Sequence, residues 1–308
     1  MTRVVDLLAA RTCVSVELWP PRTDAAAARL EATLDRLAEL APDFASITYG
    51  AAGSTRDRTH ELVVSLQRDR GTTAMAHLVC AAHTRAELES ILSRYREEGI
   101  ENVLALRGDP PEGSSDGLAD GELGHAIELV ELARDVGTFC VAVAAHPAGH
   151  PGAPDVATDR RRLARKLSLA DLAVTQFFYE VDEYLRLVDD LATLGVDRPV
   201  VPGIMPVTSA RTLERMAALS GARVPDALAD RVAAARGDPD EIARVGVAVA
   251  TELCGALLEA GAPGLHFYTM NQFAATLAIC DSLGLAGRRE GADADRRAAS
   301  PLMNPPVV

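Results

Sequence analysis

Several apolar runs of strand length in this sequence end in polar side chains, and those side chains are the ones that could do chemistry. Glu17 lies near the end of VSVELWPPR, and Arg107 and Asp109 follow the run NVLAL. Other runs of this kind carry histidine, amide or hydroxyl groups at their ends, namely Thr48, Tyr49, His77, His146, His150, Gln176, His266 and Tyr268. These groups suit a site that binds an anionic molecule and moves a proton.

Glu17 is the strongest catalytic candidate. It lies between Val16 and Leu18, and two prolines then take the chain out of the strand. Partial burial among apolar residues raises the pKa of a carboxyl above its ordinary value, which predicts a general acid that works near neutral pH. The alternative is a structural salt bridge to Arg22 or to an arginine in the core.

Other kinds of site find little support in the sequence. Histidines and carboxylates do not recur at the spacing of metal ligands, and there is neither a serine nucleophile elbow nor a P-loop. The five cysteines are scattered without a CxxC pair, so we predict buried free thiols in a reducing cytosol. A net charge of -13 disfavours a nucleic-acid binder.

Targeting signals are also missing from the pattern. The start MTRVVDLLAARTC is too short and too polar for a secretory signal. No apolar run approaches the ~18 residues of a membrane span. We therefore expect a cytoplasmic protein that does not enter a membrane.

The elements that must position the candidate residues alternate regularly. Helical periodicity is clearest in Asp24–Leu40, Arg85–Glu98 and Glu180–Leu194, and Thr23, Thr84 and Ser209 are predicted N-caps. The predicted strands are Cys13–Leu18, Phe44–Tyr49, Thr73–Val79, Asn102–Leu106, Phe139–Ala145, Leu172–Phe177, Val200–Ile204 and Gly264–Tyr268. Nothing interrupts the series, which predicts an α/β fold with a single (β/α)8 TIM barrel over residues 1–285.

Three segments depart from the regular alternation. Gly108–Gly124 is long, polar and rich in glycine, which predicts a mobile lid over the fourth strand. Asp226–Ala260 holds more residues than one helix needs. Residues 286–308 lose all periodicity and are expected to be a disordered tail.

The strand-end motifs also occur together in a known family. In the same order, this chain resembles the 5,10-methylenetetrahydrofolate reductases at VSVELWPPRT, ITYGAAGSTRDRTH, HLVC, NVLALRGDPP, VAAHPAGHP, VTQFFYEVDEYL, VPGIMPVT and LHFYTMN. Most of these motifs are weak alone. Eight in register over about residues 12 to 285 identify the chain as a member of that family.

The resemblance implies a barrel oxidoreductase that takes hydride from NADH or NADPH, passes it to FAD, and reduces 5,10-methylenetetrahydrofolate to 5-methyltetrahydrofolate. Such an enzyme belongs to one-carbon metabolism and methionine biosynthesis. Glu17 matches the general acid that opens the five-membered folate ring to an iminium ion. Asp109 matches the carboxylate that stabilises this cation and tunes the flavin.

The resemblance also assigns binding residues. On the folate side it implies Gln176, Phe178, Thr212 and Met216. Around FAD it implies Thr48, Tyr49, His77, Arg107, Gly108, Asp109, Ala126, His146, His150, Asp159, Arg162, Arg165 and Lys166. Arg165 and Lys166 suit the phosphates.

This sequence departs from the family pattern at several of these positions. The family usually has tyrosine where His125 and His146 stand, and asparagine where Arg162 stands. A stacking phenylalanine of bacterial relatives is replaced by Met216, which removes on the order of 1 kcal/mol of aromatic stacking, and a nearby glutamine by Thr212. These changes leave open a flavin-free relative that takes hydride directly from NADH.

Other functions and the plainer interpretations stay open at this stage. The enzyme could run toward oxidation of 5-methyltetrahydrofolate, or a paralogue could bind folate or flavin without turnover. The run RRRLARK is either a phosphate-binding or a solvated helix face. We interpret His60 and His83 as surface or cap residues, His266 as a core histidine and Trp19 as packed under the two prolines. By resemblance, a homo-oligomer is expected.

Overall fold

The barrel closes through eight parallel strands that pair in chain order, and the last strand pairs with the first. This computed structural model describes residues 2–50, 56–108, 121–220 and 223–285, with the backbone alone at 218–220. The predicted single (β/α)8 TIM barrel is confirmed. The predicted tail and most of the predicted lid, residues 109–120, lie outside the described residues.

The strands and helices follow the predicted order. The strands are β1 Cys13–Leu18, β2 Phe44–Ile47, β3 Thr73–Val79, β4 Asn102–Leu106, β5 Cys140–Ala145, β6 Leu172–Phe177, β7 Val200–Ile204 and β8 Gly264–Tyr268. The helices are α1 Val4–Ala10, α2 Asp24–Leu40, α3 Arg56–Arg68, α4 Arg85–Glu97, α5 Ala126–Val136, α6 Val156–Leu167, α7 Val181–Thr193, α8 Ala210–Ser220, α9 Asp226–Ala234, α10 Pro239–Glu259 and α11 Ala274–Ser282. The long segment before β8 thus forms two helices, as predicted.

Side-chain caps fix where the helices begin. Thr23 accepts a hydrogen bond from Ala26 N, and Thr84 forms a capping box with Glu87. Ser209 Oγ accepts from the backbone N–H of Thr212 at 3.1 Å. The three predicted N-caps are confirmed.

Two strands are shorter than predicted. β2 ends at Ile47, and β5 begins at Cys140. Thr48 still donates its N–H to Leu18 O at 2.9 Å, but its own carbonyl accepts from Thr59 Oγ1 at 3.0 Å. The carbonyl is therefore used by helix α3, and the chain leaves the strand ladder there.

The strands are buried on both faces, which explains their nearly continuous apolar sequences. All residues of β3 and β7 are buried. One apolar cluster fills the lower barrel around Phe44, Met75 and Leu172, and a larger one lies between the strands and the surrounding helices. Because the strands are buried along their length, polar side chains can reach solvent only near the strand ends.

Helix α1, which was not predicted, lies at the opposite end of the barrel. Its Val4 and Leu8 belong to the apolar cluster of the lower barrel. Asn102 Oδ1 accepts from Val4 N at 2.7 Å, and its amide nitrogen donates to Thr2 O and Ala74 O. Because the residue that caps α1 is remote in sequence, no local signal marks this helix.

Candidate active site

A cavity of about 610 Å³ opens at the carboxyl ends of the strands. This is the end at which parallel barrels place their reactive groups. Its lining combines one carboxyl, four histidines and a band of apolar side chains. The lining residues are Glu17, Trp19, His77, Leu104, Leu106, Ala144, His146, His150, Pro151, Val174, Gln176, Phe177, Met205, Met216, His266, Tyr268 and Met270.

Glu17 lies in this cavity with its carboxyl largely removed from solvent. Its side chain is 13% exposed, and burial raises its pKa to about 7 against the opposing effect of the Trp19 hydrogen bond. Trp19 Nε1 donates to Glu17 Oε1 at 3.1 Å. Among the residues that the structure describes, no arginine or lysine pairs with Glu17, so the predicted alternative of a structural salt bridge is wrong.

Two buried histidines beside Glu17 are neutral. His77 Nε2 lies 3.9 Å from Glu17 Oε2, and burial, together with the neighbouring His266, lowers the pKa of His77 to about 3. The contact is therefore not an ion pair at neutral pH. Within the described parts of the chain, the buried His77 Nε2 has no hydrogen-bond partner, and it faces the cavity.

His266 is fixed between two strands by short contacts. Its Nδ1 lies 2.8 Å from Ser15 Oγ and its Nε2 lies 3.2 Å from Ser46 Oγ. Burial lowers its pKa to about 3. The structure supports its interpretation as a core histidine, although its ring also borders the cavity.

The end of β6 carries a bulge that changes which side chains reach the cavity. Its pairing with β7 shifts between Val174 and Phe177, where one strand advances three residues and the other two. Side-chain alternation is therefore interrupted, and both Gln176 and Phe177 line the cavity. The substrate-side assignment of Phe178 is not supported, because its ring is 2% exposed and stacks on Tyr184 in the core.

The aromatic wall of the cavity is built against β7. Tyr268 donates its hydroxyl to Thr175 O at 2.6 Å, and its ring meets that of Phe177 edge to face. Gly203 makes this possible, since an added Cβ would lie 2.2 Å from Thr175 O and 2.5 Å from the Tyr268 ring. Burial raises the pKa of Tyr268 well above its ordinary value.

His146 and His150, which follow β5, form a second polar group at the cavity. Their ring centroids are 4.6 Å apart in an edge-to-face contact. Burial lowers both pKa values, that of His146 to about 4. Lys166 reaches the same strand end and donates to Ala144 O at 3.0 Å, and burial lowers its pKa although Asp159 opposes this.

The basic run of α6 divides into buried and exposed groups. Arg160 is 3% exposed and donates to His146 O and Pro147 O while it pairs with Asp159 and Asp190. Arg162 and Arg165 are exposed. Arg160 and Lys166 thus contradict the interpretation of the whole run as a solvated face, whereas Arg162 and Arg165 are free to contact a ligand.

Several predicted cofactor residues lie around the cavity rather than in its lining. Arg107 is exposed after β4, and Ala126 is the first residue of α5. Gly108 has φ +85°, and a Cβ there would lie 2.8 Å from Ala81 Cβ, so only glycine fits this turn. Asp109 lies outside the described residues.

The second strand places two predicted residues away from the cavity lining. The backbone of Thr48 bonds Leu18 O of β1 and the Thr59 hydroxyl of α3. Tyr49 donates to or accepts from His83 Nε2 at 3.0 Å and borders a separate small pocket against α3 and α4. The side chain of Tyr49 thus faces α3 and α4, and its assignment to the cofactor stays a prediction.

Helix α8 brings one of its two predicted residues to the site. Met216 lines the cavity. Thr212 lies in the first turn of α8, where its N–H and hydroxyl both bond Ser209 Oγ. The Met216 assignment is therefore compatible with the geometry, while Thr212 serves the helix cap.

Sequence reasoning missed nine lining residues, among them four with aromatic or sulfur-containing side chains, and misplaced two histidines. Trp19, Phe177, Met205 and Met270 line the cavity without having been assigned to it. His60 and His83 are buried, since His60 pairs with Glu98 at 2.9 Å and stacks on Tyr95. A signal for His60 existed in its spacing of three residues from Val63, which lies on the buried face of α3.

The described residues hold neither a metal-binding cluster nor a membrane-spanning helix. No group of three histidine, cysteine or carboxylate side chains is arranged there to hold a metal ion. None of the helices described is long and apolar enough to cross a membrane.

Comparison with known proteins adds independent information. A family model described as methylenetetrahydrofolate reductase matches residues 2–284. The 5,10-methylenetetrahydrofolate reductase of Pectobacterium carotovorum subsp. carotovorum is 37% identical over 280 residues, which are 90% of this chain and 92% of that protein. That of Escherichia coli (strain K12) is 37% identical over 273 residues, or 88% and 90%.

More distant similarities agree in fold. Methylenetetrahydrofolate reductase (NADH) 1 of Arabidopsis thaliana is 35% identical over 288 residues, covering 89% of this chain and 49% of that protein. A solved Clostridium thermocellum protein, described as binding two copies of 5-methyl-5,6,7,8-tetrahydrofolic acid, superposes with a TM-score of 0.62 at 16% identity. It covers 91% of this chain and 97% of its own, and at this identity the likeness shows the fold alone.

Proposed function

The chain belongs to the methylenetetrahydrofolate reductase family, and we propose that its barrel mouth reduces 5,10-methylenetetrahydrofolate to 5-methyltetrahydrofolate with hydride from a nicotinamide dinucleotide. The observation that carries this proposal is the state of Glu17. Its carboxyl faces a cavity, has a pKa of about 7 through burial, and has no cationic partner among the described side chains. A general acid of neutral solution needs these properties.

Glu17 supplies the proton in the proposed reaction. With a pKa of about 7, a large fraction of the carboxyl is protonated at neutral pH. It donates this proton to the folate nitrogen that leaves when the five-membered ring opens, and the resulting iminium carbon accepts hydride. His77 and His266 stay neutral at this pH, so neither of them opposes the iminium charge.

Other residues bind and orient the substrate in this proposal. Gln176 presents an amide at the cavity, and its Oε1 accepts from Phe177 N at 3.0 Å. Phe177 and Tyr268 offer aromatic surface for a pterin ring. Asp109, which the structure does not describe, is proposed from the family motif to stabilise the iminium charge.

The chain's residues fit a flavin, and we propose FAD as the intermediate hydride carrier. The test is the buried His77 Nε2, which lacks a partner in the described chain and faces the cavity as a ring-binding group would. His146, His150, Asp159 and Lys166 would hold the ring and sugar side, with Arg162 and Arg165 toward the phosphates. Held by these residues, FAD would supply a ring able to carry hydride from the nicotinamide to the folate.

A flavin-free reductase is the second candidate, and one observation favours it. Met216 supplies an aliphatic surface to the cavity at the position where bacterial relatives have a phenylalanine that stacks on nicotinamide or folate. In this case the nicotinamide would occupy the flavin's place and transfer hydride directly. The two candidates share Glu17 as the acid and differ only in the carrier.

Replacement of Glu17 by Gln tests the proposed acid. We expect folate reduction to fall by roughly 10²-fold or more, because an amide cannot donate the proton, whereas NADH oxidation by an artificial acceptor persists if flavin is bound. Steady-state rates of both reactions measure this. The matched control is Glu89→Gln on the exposed face of α4, which should leave both rates unchanged. Near-normal folate turnover by Glu17→Gln would remove Glu17 from the role.

A further inference from the structure

Trp19 contacts the proposed acid directly although it lies at the surface. It is the only tryptophan in the sequence, and its side chain is 44% exposed at the cavity mouth. Its indole Nε1 donates to Glu17 Oε1 at 3.1 Å. The resemblance gave this residue no role, and a packing residue under two prolines would not need a buried carboxyl as partner.

Asn271 holds the backbone of Trp19 from the loop after β8. Its Oδ1 accepts from Trp19 N at 2.9 Å, and its Nδ2 donates to Trp19 O at 3.0 Å. Both backbone groups of one residue are therefore fixed by one amide side chain. Next to these two hydrogen bonds, Thr269 Oγ1 donates to Glu17 O at 2.8 Å. Hydrogen bonds at both Glu17 and Trp19 therefore connect the end of β1 with the end of β8.

The backbone of the loop is unusual in the same place. Met270 and Asn271 have φ +48° and +59°, in the left-handed region that residues other than glycine seldom adopt. This conformation aims the Asn271 amide at Trp19, while the neighbouring Met270 lines the cavity. Backbone strain of this kind persists only where surrounding contacts hold it, and it is concentrated at functional sites.

We propose that Asn271 is a positioning residue that sets the indole of Trp19, and that the Trp19 N–H in turn holds the Glu17 carboxyl in its orientation toward the cavity. The proposal rests on the proposed function for the role of Glu17 as the acid. Trp19 touches the reacting carboxyl, whereas Asn271 acts only through Trp19. The contact between Trp19 and Glu17 can therefore be tested without hydride transfer and without folate.

Burial moves the pKa values of the histidines and the tyrosine that share the cavity with Glu17 away from neutral pH. His77 on β3 and His266 on β8 have pKa values of about 3, and that of Tyr268 on β8 is raised well above 10. His146 and His150 beyond β5 also have lowered pKa values. Among the described lining residues, a transition near pH 7 that Glu17→Gln abolishes therefore reports Glu17.

Intrinsic fluorescence of Trp19 tests the proposal without any catalytic assay. We expect the emission of the wild-type holoenzyme to change with pH around a midpoint near 7, because ionisation of Glu17 alters the acceptor of the indole N–H. Glu17→Gln should abolish the transition. Asn271→Gly suits the left-handed backbone but removes both hydrogen bonds to the Trp19 backbone. This variant should diminish the transition by at least half or shift its midpoint upward.

The control is Gln272→Gly, the same change at the exposed neighbouring amide, which should keep the wild-type transition. A wild-type protein with no transition, or an Asn271→Gly variant indistinguishable from wild type, would overturn the proposal. If the transition follows Glu17 but Glu17→Gln retains folate turnover, the positioning stands and the proposed acid role fails.

A second variant covers the case in which Asn271→Gly does not fold. Trp19→Phe keeps an aromatic ring but removes the N–H that favours ionised Glu17. We expect the upper limb of its pH profile for folate turnover to move upward by up to about one pH unit, the scale of one hydrogen bond to a charged group. An unchanged limb would mean that the indole does not act on Glu17.

Discussion

At the residue scale, the burial that makes Glu17 an acid also destabilises the fold above neutral pH. The folded pKa of about 7 exceeds the ordinary 4.5, so protons bind the native state more tightly than the unfolded one. This contribution to stability is complete below pH 4.5 and is lost as pH rises through 7. Function thus opposes stability at this position.

Glu17→Gln should therefore stabilise the protein in alkaline solution. Gln keeps an oxygen that accepts from Trp19 and removes the ionisation, so the variant should exceed wild type by up to about 3 kcal/mol at pH 8.5 and by little below pH 4.5. Urea denaturation of both proteins across this range measures the difference. Glu89→Gln should show no comparable pH-dependent gain, and equal stability of Glu17→Gln and wild type at pH 8.5 would contradict the burial of an ionised carboxyl.

Some residues of the site could be found from the sequence and others could not. The position of Glu17 in the cavity was predictable because a carboxyl between Val16 and Leu18 either faces the barrel mouth or needs a cationic partner. Phe177 was not, since the choice between it and Phe178 depends on a bulge whose cause lies in the pairing of β6 with β7. The Trp19 contact depends on Asn271, which is 252 residues away.

At the element scale, α6 shows how one basic run serves two purposes. Its buried Arg160 binds the two carbonyls after β5, and this fixes the turn that carries His146. Its Lys166 lies under the same strand end, while Arg165 remains at the surface. The sequence predicted a helix here, but helical periodicity could not separate these roles because burial depends on the neighbouring α7 and β5.

The cofactor side of α6 can be tested by a double replacement. Arg165→Ala with Lys166→Ala should weaken retention of FAD on desalting, because two cationic groups suited to its phosphates are lost. The flavin absorbance per protein after gel filtration measures retention. The control Arg161→Ala removes an exposed arginine from the same helix and should retain flavin as wild type does. Equal retention by the double variant would contradict a role of Arg165 and Lys166 in binding the phosphates of FAD.

At the scale of the whole molecule, the barrel was predictable from alternation alone. Six of eight strands have the predicted bounds, because strands buried on both faces show as uninterrupted apolar runs between helices. Helix α1 was missed because its stability comes from the barrel floor and from Asn102, not from its own seven residues. Long-range contacts of this kind produce no periodic pattern in the local sequence.

The five cysteines provide a measure of global unfolding. All are free and buried, as predicted, and burial raises the pKa values of Cys13, Cys80 and Cys280 to about 12 and that of Cys140 to about 11. At pH 8 a disulfide reagent should therefore modify no thiol of the native protein rapidly and all five after denaturation. Absorbance of the released thiolate counts them. Rapid reaction of one or more native thiols would show that the barrel opens locally.

The most direct test of the proposed reaction is an anaerobic visible spectrum of the purified enzyme, loaded with FAD and desalted, as it is given NADH and then 5,10-methylenetetrahydrofolate. Wild type should keep the flavin bands, lose them with NADH and regain them with the folate. Glu17→Gln should lose them equally but regain them about 10²-fold or more slowly. Recovery of colour at the wild-type rate would contradict Glu17 as the acid, and a colourless wild-type protein that still reduces the folate would contradict FAD as the carrier.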